Sequence, residues 1–375
     1  MNKGLNIAII GASFMGKAHS NAYLDVEHYF SLSKPVVMHT ICDVNQKSAE
    51  QLAAKYGWKH VETDWKKVIE NKDIDLIDIC TPNNTHMQIA IAAAKSGKHI
   101  ICEKPIALTA DEARQMSQAA QKANVRNMTA FNYRRVPAIA LARHLIDSGK
   151  IGDIHHFNAV YYQDWLVDPE APFIWRLDAS IGGSGAHGDM NAHTVDLARF
   201  LVGEFESVSA AKSIFTQERK KPDGSMGQVT ADDALYFTAT FENGALGNFM
   251  ATRYATDRKN FLRCERFGSK GAVTFNLERL NELEYYSRDD DAQSQGFRTI
   301  IVTEQSHPYL QMWWPPGHII GWEHTFIHEI GDLLTAIESG SEVKADFYDG
   351  YRCQQILDAA SESAEAGEWK KIPKD

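Results

Sequence analysis

The turn Gly11-Ala12-Ser13-Phe14-Met15-Gly16 directly follows the apolar run Leu5 to Ile10. Gly11 permits a tight turn off a buried strand, and Gly16 lets the following helix pack close to the sheet. The amides of Ser13, Phe14 and Met15 between them then face a pyrophosphate at a helix N-terminus. Ser13 replaces the middle glycine of the dinucleotide fingerprint, and a small side chain is tolerable there. Asp43 ends the second expected strand, 27 residues past Gly16, a gap lengthened by the insertion His28 to Lys34. A carboxylate at that place accepts ribose hydroxyls and repels a 2′-phosphate, which favours NAD over NADP. The two glycines alone also fit a plain strand–helix turn; Asp43 and the strand–helix alternation argue against it.

Three further residues suit proton and charge transfer. Lys104 follows a buried strand at the carboxyl edge of the expected parallel sheet, where ligands of such folds bind. A lysine desolvated there can hydrogen-bond a reacting hydroxyl and stabilise developing alkoxide charge. Asp189 and His193 stand at i and i+4, so a helix would project both from one face. The imidazole suits proton transfer, and the carboxylate can set its charge and orientation. On residue type alone, Lys104 is more often a solvated surface lysine and such a pair more often a helix-surface ion pair; their place in the ordered series of motifs overturns that. Metal binding competes: His187, Asp189 and His193 are possible ligands, and His324 and His328 lie one helical turn apart. Thr325 follows His324, so the HExxH zinc pattern is absent, and no metal is expected.

The elements that must position these residues alternate. Strands are expected over Leu5 to Ile10, Pro35 to Cys42, Ile74 to Cys80 and His99 to Cys102. Helices are expected over Lys17 to Glu27, Ser48 to Tyr56, His86 to Ser96 and Ala110 to Ala123. This is the pattern of a doubly wound parallel sheet. After a helix Pro137 to Ser148, strand-like runs rich in Val, Phe, Tyr and Thr follow at Ile154 to Gln163, Val208 to Phe215, Ala234 to Glu242, Gly244 to Thr252, Arg263 to Gly268 and Ala272 to Asn276. Short turns such as Glu242-Asn243-Gly244 suit a largely antiparallel sheet. Ser287 to Gly296 is polar and reads as a loop. The fold class is therefore α/β, with a parallel Rossmann-type sheet over residues 1–132. An α+β domain with an open, largely antiparallel sheet follows over residues 133–375, its last helix free to pack back on the first domain.

The chain has 375 residues, a net charge of −10 and 44% hydrophobic residues. That bounds two or three domains with sizeable cores, and the acidic balance argues against nucleic acid. No apolar run reaches the ~18 residues of a membrane span, and the first ten residues lack the long apolar core of a secretion signal. Five cysteines with no CxxC pair read as free thiols in a reducing compartment; the cytoplasm is expected.

The segments Thr81-Pro82-Asn83-Asn84-Thr85-His86 and Gly97 to Pro105, with Glu103-Lys104-Pro105 at its end, carry a resemblance. It continues through Phe131-Asn132-Tyr133-Arg134-Arg135, Gly149-Lys150-Ile151-Gly152, Gly182 to Gly185, Gly188 to His193 and Gly350-Tyr351-Arg352. In this order the motifs resemble the glucose–fructose oxidoreductase / inositol dehydrogenase / MocA (Gfo/Idh/MocA) family of NAD(P)-dependent sugar and polyol oxidoreductases. Gln163-Asp164-Trp165-Leu166 and Gly321 to Phe326 look most like its levoglucosan and glucoside 3-dehydrogenase branch.

The resemblance implies that Lys104, Asp189 and His193 are catalytic and that the Lys104–Pro105 bond is cis. It places Thr81, Pro82, Asn83, His86, Glu103, Lys104 and Asn132 at the NAD cofactor, and Trp175 with Arg176 beside cofactor and substrate. Trp165 and Trp175 offer flat faces to the C–H face of a pyranose, and Gln163, Arg176 and Tyr133 offer hydroxyl partners. Core packing is the competing role for each tryptophan. Substrate contacts are therefore expected at Lys104, Tyr133, Gln163, Trp165, Arg176, Asp189, His193 and His324. The expected activity is oxidation of a secondary hydroxyl of a cyclic sugar, anhydrosugar, glycoside or polyol. The hydroxyl at C3 is one candidate. Two alternatives stand beside it: a glycosidase of the same fold that uses bound NAD for transient oxidation, and a non-catalytic NAD-binding sensor. Family precedent pairs open sheets into a homodimer or homotetramer. Met312 to His318 would close over the substrate or form an apolar contact patch.

Overall fold

The computed structural model describes residues 4–374. It divides into two compact units, the first running through Arg135 and resuming over Gly321–Arg352, the second comprising Val136–Ile320 and Cys353–Asp375.

In the first unit β1 (Leu5–Ile10), β2 (Val36–Cys42), β3 (His60–Glu62), β4 (Leu76–Ile79), β5 (His99–Cys102) and β6 (Asn127–Thr129) form one sheet in the order β3-β2-β1-β4-β5-β6. Every pairing is parallel. The order reverses beside β1, the switch point at which such sheets bind ligands. Strands β1, β4 and β5 are almost wholly buried, as expected where helices cover both faces. The connecting helices are α1 (Phe14–Tyr29), α2 (Gln46–Tyr56), α3 (Trp65–Glu70), α4 (His86–Lys95) and α5 (Ala110–Ala123). Ile77, Ile79, Ile89, Ala93, Ile100 and Met116 share one core. Three elements add to the sequence reading: β3, α3 and the edge strand β6. Both strands have three residues, too few for a periodic signal. The insertion His28 to Lys34 begins as helix, because α1 continues to Tyr29.

The second unit opens with α6 (Pro137–Asp147) and is built on a nine-stranded sheet. Its strands are β7 (Ile154–Tyr162), β8 (Phe205–Ser213), β11 (Ala234–Phe241), β12 (Leu246–Thr252), β13 (Phe261–Gly268), β14 (Gly271–Asn276), β15 (Glu282–Ser287), β16 (Arg298–Ile301) and β17 (Lys370–Lys371), and the order is β16-β15-β14-β13-β7-β12-β11-β8-β17. The hairpin β9 (Glu218–Lys220) with β10 (Met226–Gln228) stands apart. Within the large sheet only the β7–β12 pairing is parallel. After the one-turn α7 (Ala179–Gly182), α8 (Ala192–Leu201) joins α6 in covering one face of the sheet, and Ile139, Leu201, Phe157, Phe275 and Leu283 line one small apolar cavity there. The middle of β11 alternates: Leu235, Phe237 and Ala239 are buried, while Tyr236 and Thr238 face out.

The chain then re-enters the first unit through α9 (His324–Ser339) and the start of α10 (Phe347–Ala366). This differs from a single boundary after residue 132. The physical reason is the apolar side of α9, where Phe326, Ile327, Ile330, Leu333 and Leu334 are buried and α9 packs on α1. His324, expected in the substrate domain, therefore stands in the first unit.

Candidate active site

The cofactor turn is closed by geometry that excludes side chains. Gly11 has φ +112, and a Cβ there would lie 2.4 Å from the Cys80 carbonyl oxygen; a Cβ on Gly16 would lie 2.1 Å from that of Gly11. Ser13 occupies the N-cap of α1 without a side-chain cap bond, which leaves first-turn amides available to a phosphate. Phe14 is exposed beside it and stacks on Trp322, with ring centres 5.7 Å apart and planes 16° apart. At the tip of β2, Asp43 accepts hydrogen bonds from the amides of Ala12 (2.7 Å) and Asn45 (2.8 Å). The turn and its carboxylate thus form one bonded unit whose shape and charge fit NAD.

The loops after β4 and β5 are bonded together. His86 is fully buried, with Nε2 2.9 Å from the Thr81 carbonyl and Nδ1 3.2 Å from those of Pro105 and Ile106. Burial lowers its pKa, so the ring is neutral and its single N–H donates to one of these loops while the other nitrogen only packs against the second. Pro82 caps the short turn Asn83–Thr85, in which Asn83 is buried. The Lys104–Pro105 bond is cis. Glu103 is buried and accepts the Lys104 amide at 3.1 Å. Asn132 donates to Thr325 Oγ1 at 2.8 Å, and Tyr133 beside it is buried. His324 accepts the Gly321 amide at 3.1 Å.

In the second unit Asp189 lies in a π-helical turn, His187–Asn191, which runs directly into α8 and His193. The expected regular i, i+4 face is therefore replaced by a wider turn of the kind that often marks functional sites. Asp232 holds this turn, its carboxylate accepting the amides of Gly185 and His187 at 2.8 Å each. Gly185 permits the approach, because a Cβ there would lie 1.9 Å from the Asp232 carbonyl oxygen. His187 is spent on structure: it faces the Leu357 carbonyl at 2.9 Å and Asn191 at 3.0 Å.

A circuit of contacts then links four of the residues singled out from the sequence, Asp189, Trp165, Gln163 and His193. Arg253 Nη2 donates to Asp189 Oδ2 at 2.9 Å, and its guanidinium lies 5.0 Å from the Trp165 ring centre. Trp165 Nε1 donates to Gln163 Oε1 at 2.8 Å, and Gln163 Nε2 donates to Asn260 Oδ1 at 3.1 Å. Tyr161 donates its hydroxyl to the same Asn260 oxygen at 2.7 Å, and its ring lies 5.9 Å from that of His193. Trp165 remains partly exposed, with one side against Arg253. Trp175 and Arg176 face each other at 4.3 Å rather than joining this circuit among the described contacts. Arg253, Asn260 and Tyr161 were not singled out from the sequence. Their only signal is polar or aromatic residues on strand tips beside Gln163, at 64 and 97 positions from their partners Asp189 and Gln163.

Of the histidines considered as metal ligands, His187 is engaged as above and His328 faces the Arg135 carbonyl at 2.9 Å. In the 312–318 segment Trp313 is buried and Trp314 exposed.

Residues 5–131 match the family described as "Oxidoreductase family, NAD-binding Rossmann fold", and residues 139–274 match the "GFO/IDH/MocA C-terminal domain". The chain belongs to the GFO/IDH/MocA family and is an NAD-dependent oxidoreductase of sugars and polyols. It is 42% identical to levoglucosan dehydrogenase of Pseudarthrobacter phenanthrenivorans, with 99% of each chain covered. A solved levoglucosan dehydrogenase in complex with NADH and levoglucosan superposes with a TM-score of 0.96 at 43% identity, covering 99% of this chain and 100% of that chain. An oxidoreductase domain protein from Kribbella flavida gives a TM-score of 0.97 at 47% identity over the same shares.

Proposed function

We propose that this protein oxidises a secondary ring hydroxyl of an anhydrosugar or glycoside of the levoglucosan type, at C3, with NAD as the hydride acceptor. The observation that carries this reading is the circuit Asp189–Arg253–Trp165–Gln163–Asn260–Tyr161–His193. It gathers an acid–base pair, an aromatic platform and amide hydroxyl partners within one unit. The choice of C3 follows the likeness of the 163–166 and 321–326 segments to the levoglucosan and glucoside 3-dehydrogenase branch.

When bound, NAD accepts the hydride from the carbinol carbon. His193 takes the hydroxyl proton, so the carbinol C–H and O–H pass to cofactor and protein and leave a ketone. Lys104 stabilises the oxyanion as the proton leaves. Asp189, held by Arg253, orients the pair and keeps a negative charge beside the imidazole. Trp165 presents a ring face to the sugar C–H bonds, and Gln163, Tyr133, Arg176 and His324 supply hydroxyl contacts. Thr81, Pro82, Asn83, Asn132, Trp175 and the Gly11–Gly16 turn hold the cofactor, with Asp43 on its ribose.

The outward face of the nine-stranded sheet, with Tyr236 and Leu246 exposed, meets a second copy in this reading, giving a homodimer or homotetramer. Light scattering on the eluted protein tests that, and a monomer at micromolar concentration rejects it. Among the described residues no helix is long and apolar enough to cross a membrane. All five cysteines are buried thiols rather than disulfides, which suits the cytoplasm.

The decisive experiment is a panel of pyranoses, anhydrosugars, glycosides and inositols with NAD at alkaline pH, following reduced cofactor. Net accumulation with levoglucosan supports the proposal. Glycoside cleavage without accumulation indicates the redox-neutral route, and no turnover with any sugar indicates a sensor.

A further inference from the structure

Five polar side chains meet inside the first unit, beneath the loop that carries Lys104. His19, on the second turn of α1, has no exposed surface. Its Nδ1 lies 2.8 Å from Asp78 Oδ2 and its Nε2 lies 3.0 Å from Glu103 Oε1. Asp78 also accepts Tyr23 Oη at 3.0 Å and Cys80 Sγ at 3.2 Å. The second oxygen of Glu103 accepts the Lys104 amide at 3.1 Å. Phe326 of α9 closes one side of the imidazole at 5.4 Å between ring centres.

This arrangement is too costly to be incidental packing. Two buried carboxylates near one another repel, and each needs a partner once water is gone. Both ring nitrogens face carboxylate oxygens, so each carries a proton it donates, and the ring sits between the two negative charges as a cation. Burial alone would lower the His19 pKa, but Asp78 foremost, with Cys80 beside it, overcomes this and holds it well above the ordinary value. Burial and Asp78 likewise raise Tyr23 and Cys80, which therefore stay neutral donors. Asp78 is thus fixed from three directions and Glu103 from two. His19 is the only link between them among the described contacts.

We infer that His19 is a positioning residue for Lys104: it clamps Glu103 to Asp78 on β4, and Glu103 in turn holds the Lys104 amide. The proposal rests on the catalytic role given to Lys104 above. It adds that the side chain setting where Lys104 points belongs to the helix that begins at the cofactor turn. Without the imidazolium, Glu103 is left buried beside Asp78 with no cation, and its carboxylate swings away from the Lys104 amide. Lys104 then leaves the position where it meets the developing alkoxide, while NAD contacts at the N-terminus of α1 persist.

A double-mutant cycle on the full chain with NAD and levoglucosan tests this. His19→Gln should lower kcat by ~10-fold or more, with the NAD Kd and sugar KM within ~3-fold of the parent. In a Lys104→Ala background the same substitution should change kcat by less than ~2-fold, since residues acting as a unit are non-additive. Equal losses in both backgrounds, or an unchanged kcat in the single variant, overturn the inference. A Lys104→Ala variant with full kcat instead rejects the catalytic reading of Lys104, a separate outcome that also ends this one. Should His19→Gln fail to fold, Glu103→Gln serves in the same cycle. It keeps the volume but removes the charge that His19 clamps, and a parental kcat for it overturns the inference.

Discussion

Arg253 donates to Asp189 at 2.9 Å while lying 5.0 Å from the Trp165 ring centre, so one buried cation fixes both a carboxylate and an aromatic platform. Two of its nitrogens, Nε and Nη1, are buried without a hydrogen-bond partner among the described residues, so the bond to Asp189 is the side-chain hydrogen bond that holds the guanidinium. Replacing Arg253 by Met should lower kcat/KM by about 10²-fold, because it removes the charged hydrogen bond to Asp189 and frees Trp165. Adding Asp189→Asn to that variant should cost little more. Steady-state kinetics on both variants checks this, and additive losses would place Arg253 outside the Asp189 contact.

His193→Ala should reduce kcat by ~10²–10⁴-fold, the usual contribution of a general acid–base group. NAD affinity should hold, since the cofactor turn belongs to the first unit. Asp189→Asn should cost less than His193→Ala or Lys104→Ala, because it preserves the shape of the pocket. A raised KM with kcat intact for His193→Ala would make that residue a uniform binding contact.

Cofactor choice should follow Asp43. Asp43→Ala should narrow the preference for NAD over NADP, measured as the ratio of the two Kd values. It should also weaken NAD itself, because the carboxylate anchors the Ala12 and Asn45 amides. An unchanged ratio would remove Asp43 from the ribose.

Stability should fall with alkalinity through one buried carboxyl. Burial pushes Glu329 up from 4.5 to about 8, against the opposing pull of Arg135 and His19. The folded state therefore holds a proton that the unfolded chain has lost, and its stabilising effect is full below pH 4.5 and gone above pH 8. Glu329→Gln cannot ionise, so its Tm relative to the parent should rise as pH increases across that window. Burial holds His328 down at about 3. It acts in the opposite sense, withdrawing stability as pH falls below its ordinary value of 6.5. A parallel pair of Tm–pH curves for parent and Glu329→Gln would show that Glu329 is ionised throughout.

The first sheet was legible because buried parallel strands announce themselves as apolar runs, and because Gly11, Gly16 and Asp43 each have a local reason to be where they are. Short edge elements such as His60–Glu62 leave no period to read. The i, i+4 spacing of Asp189 and His193 correctly suggested helical structure, but the π turn depends on Asp232, 45 positions from His187, and no local pattern reports that. Arg253 and Asn260 were invisible for the same reason: their meaning lies in partners brought near by strand pairing. The re-entry of 321–352 was hidden because an amphipathic helix does not say which sheet it will cover.

That re-entry has a consequence for biogenesis. The carboxylate of Glu338 accepts the backbone amides of Ser33 and Lys34, the first of these 305 positions away along the chain, and Gly331 leaves room for the ring of Phe30. On the ribosome, the nucleotide-binding unit is therefore synthesised first yet among the last parts to be finished, waiting with its α1 flank bare while nearly two hundred intervening residues emerge. Chaperone dependence and protease sensitivity of nascent chains should peak in that interval. They should subside only once α9 clears the exit tunnel.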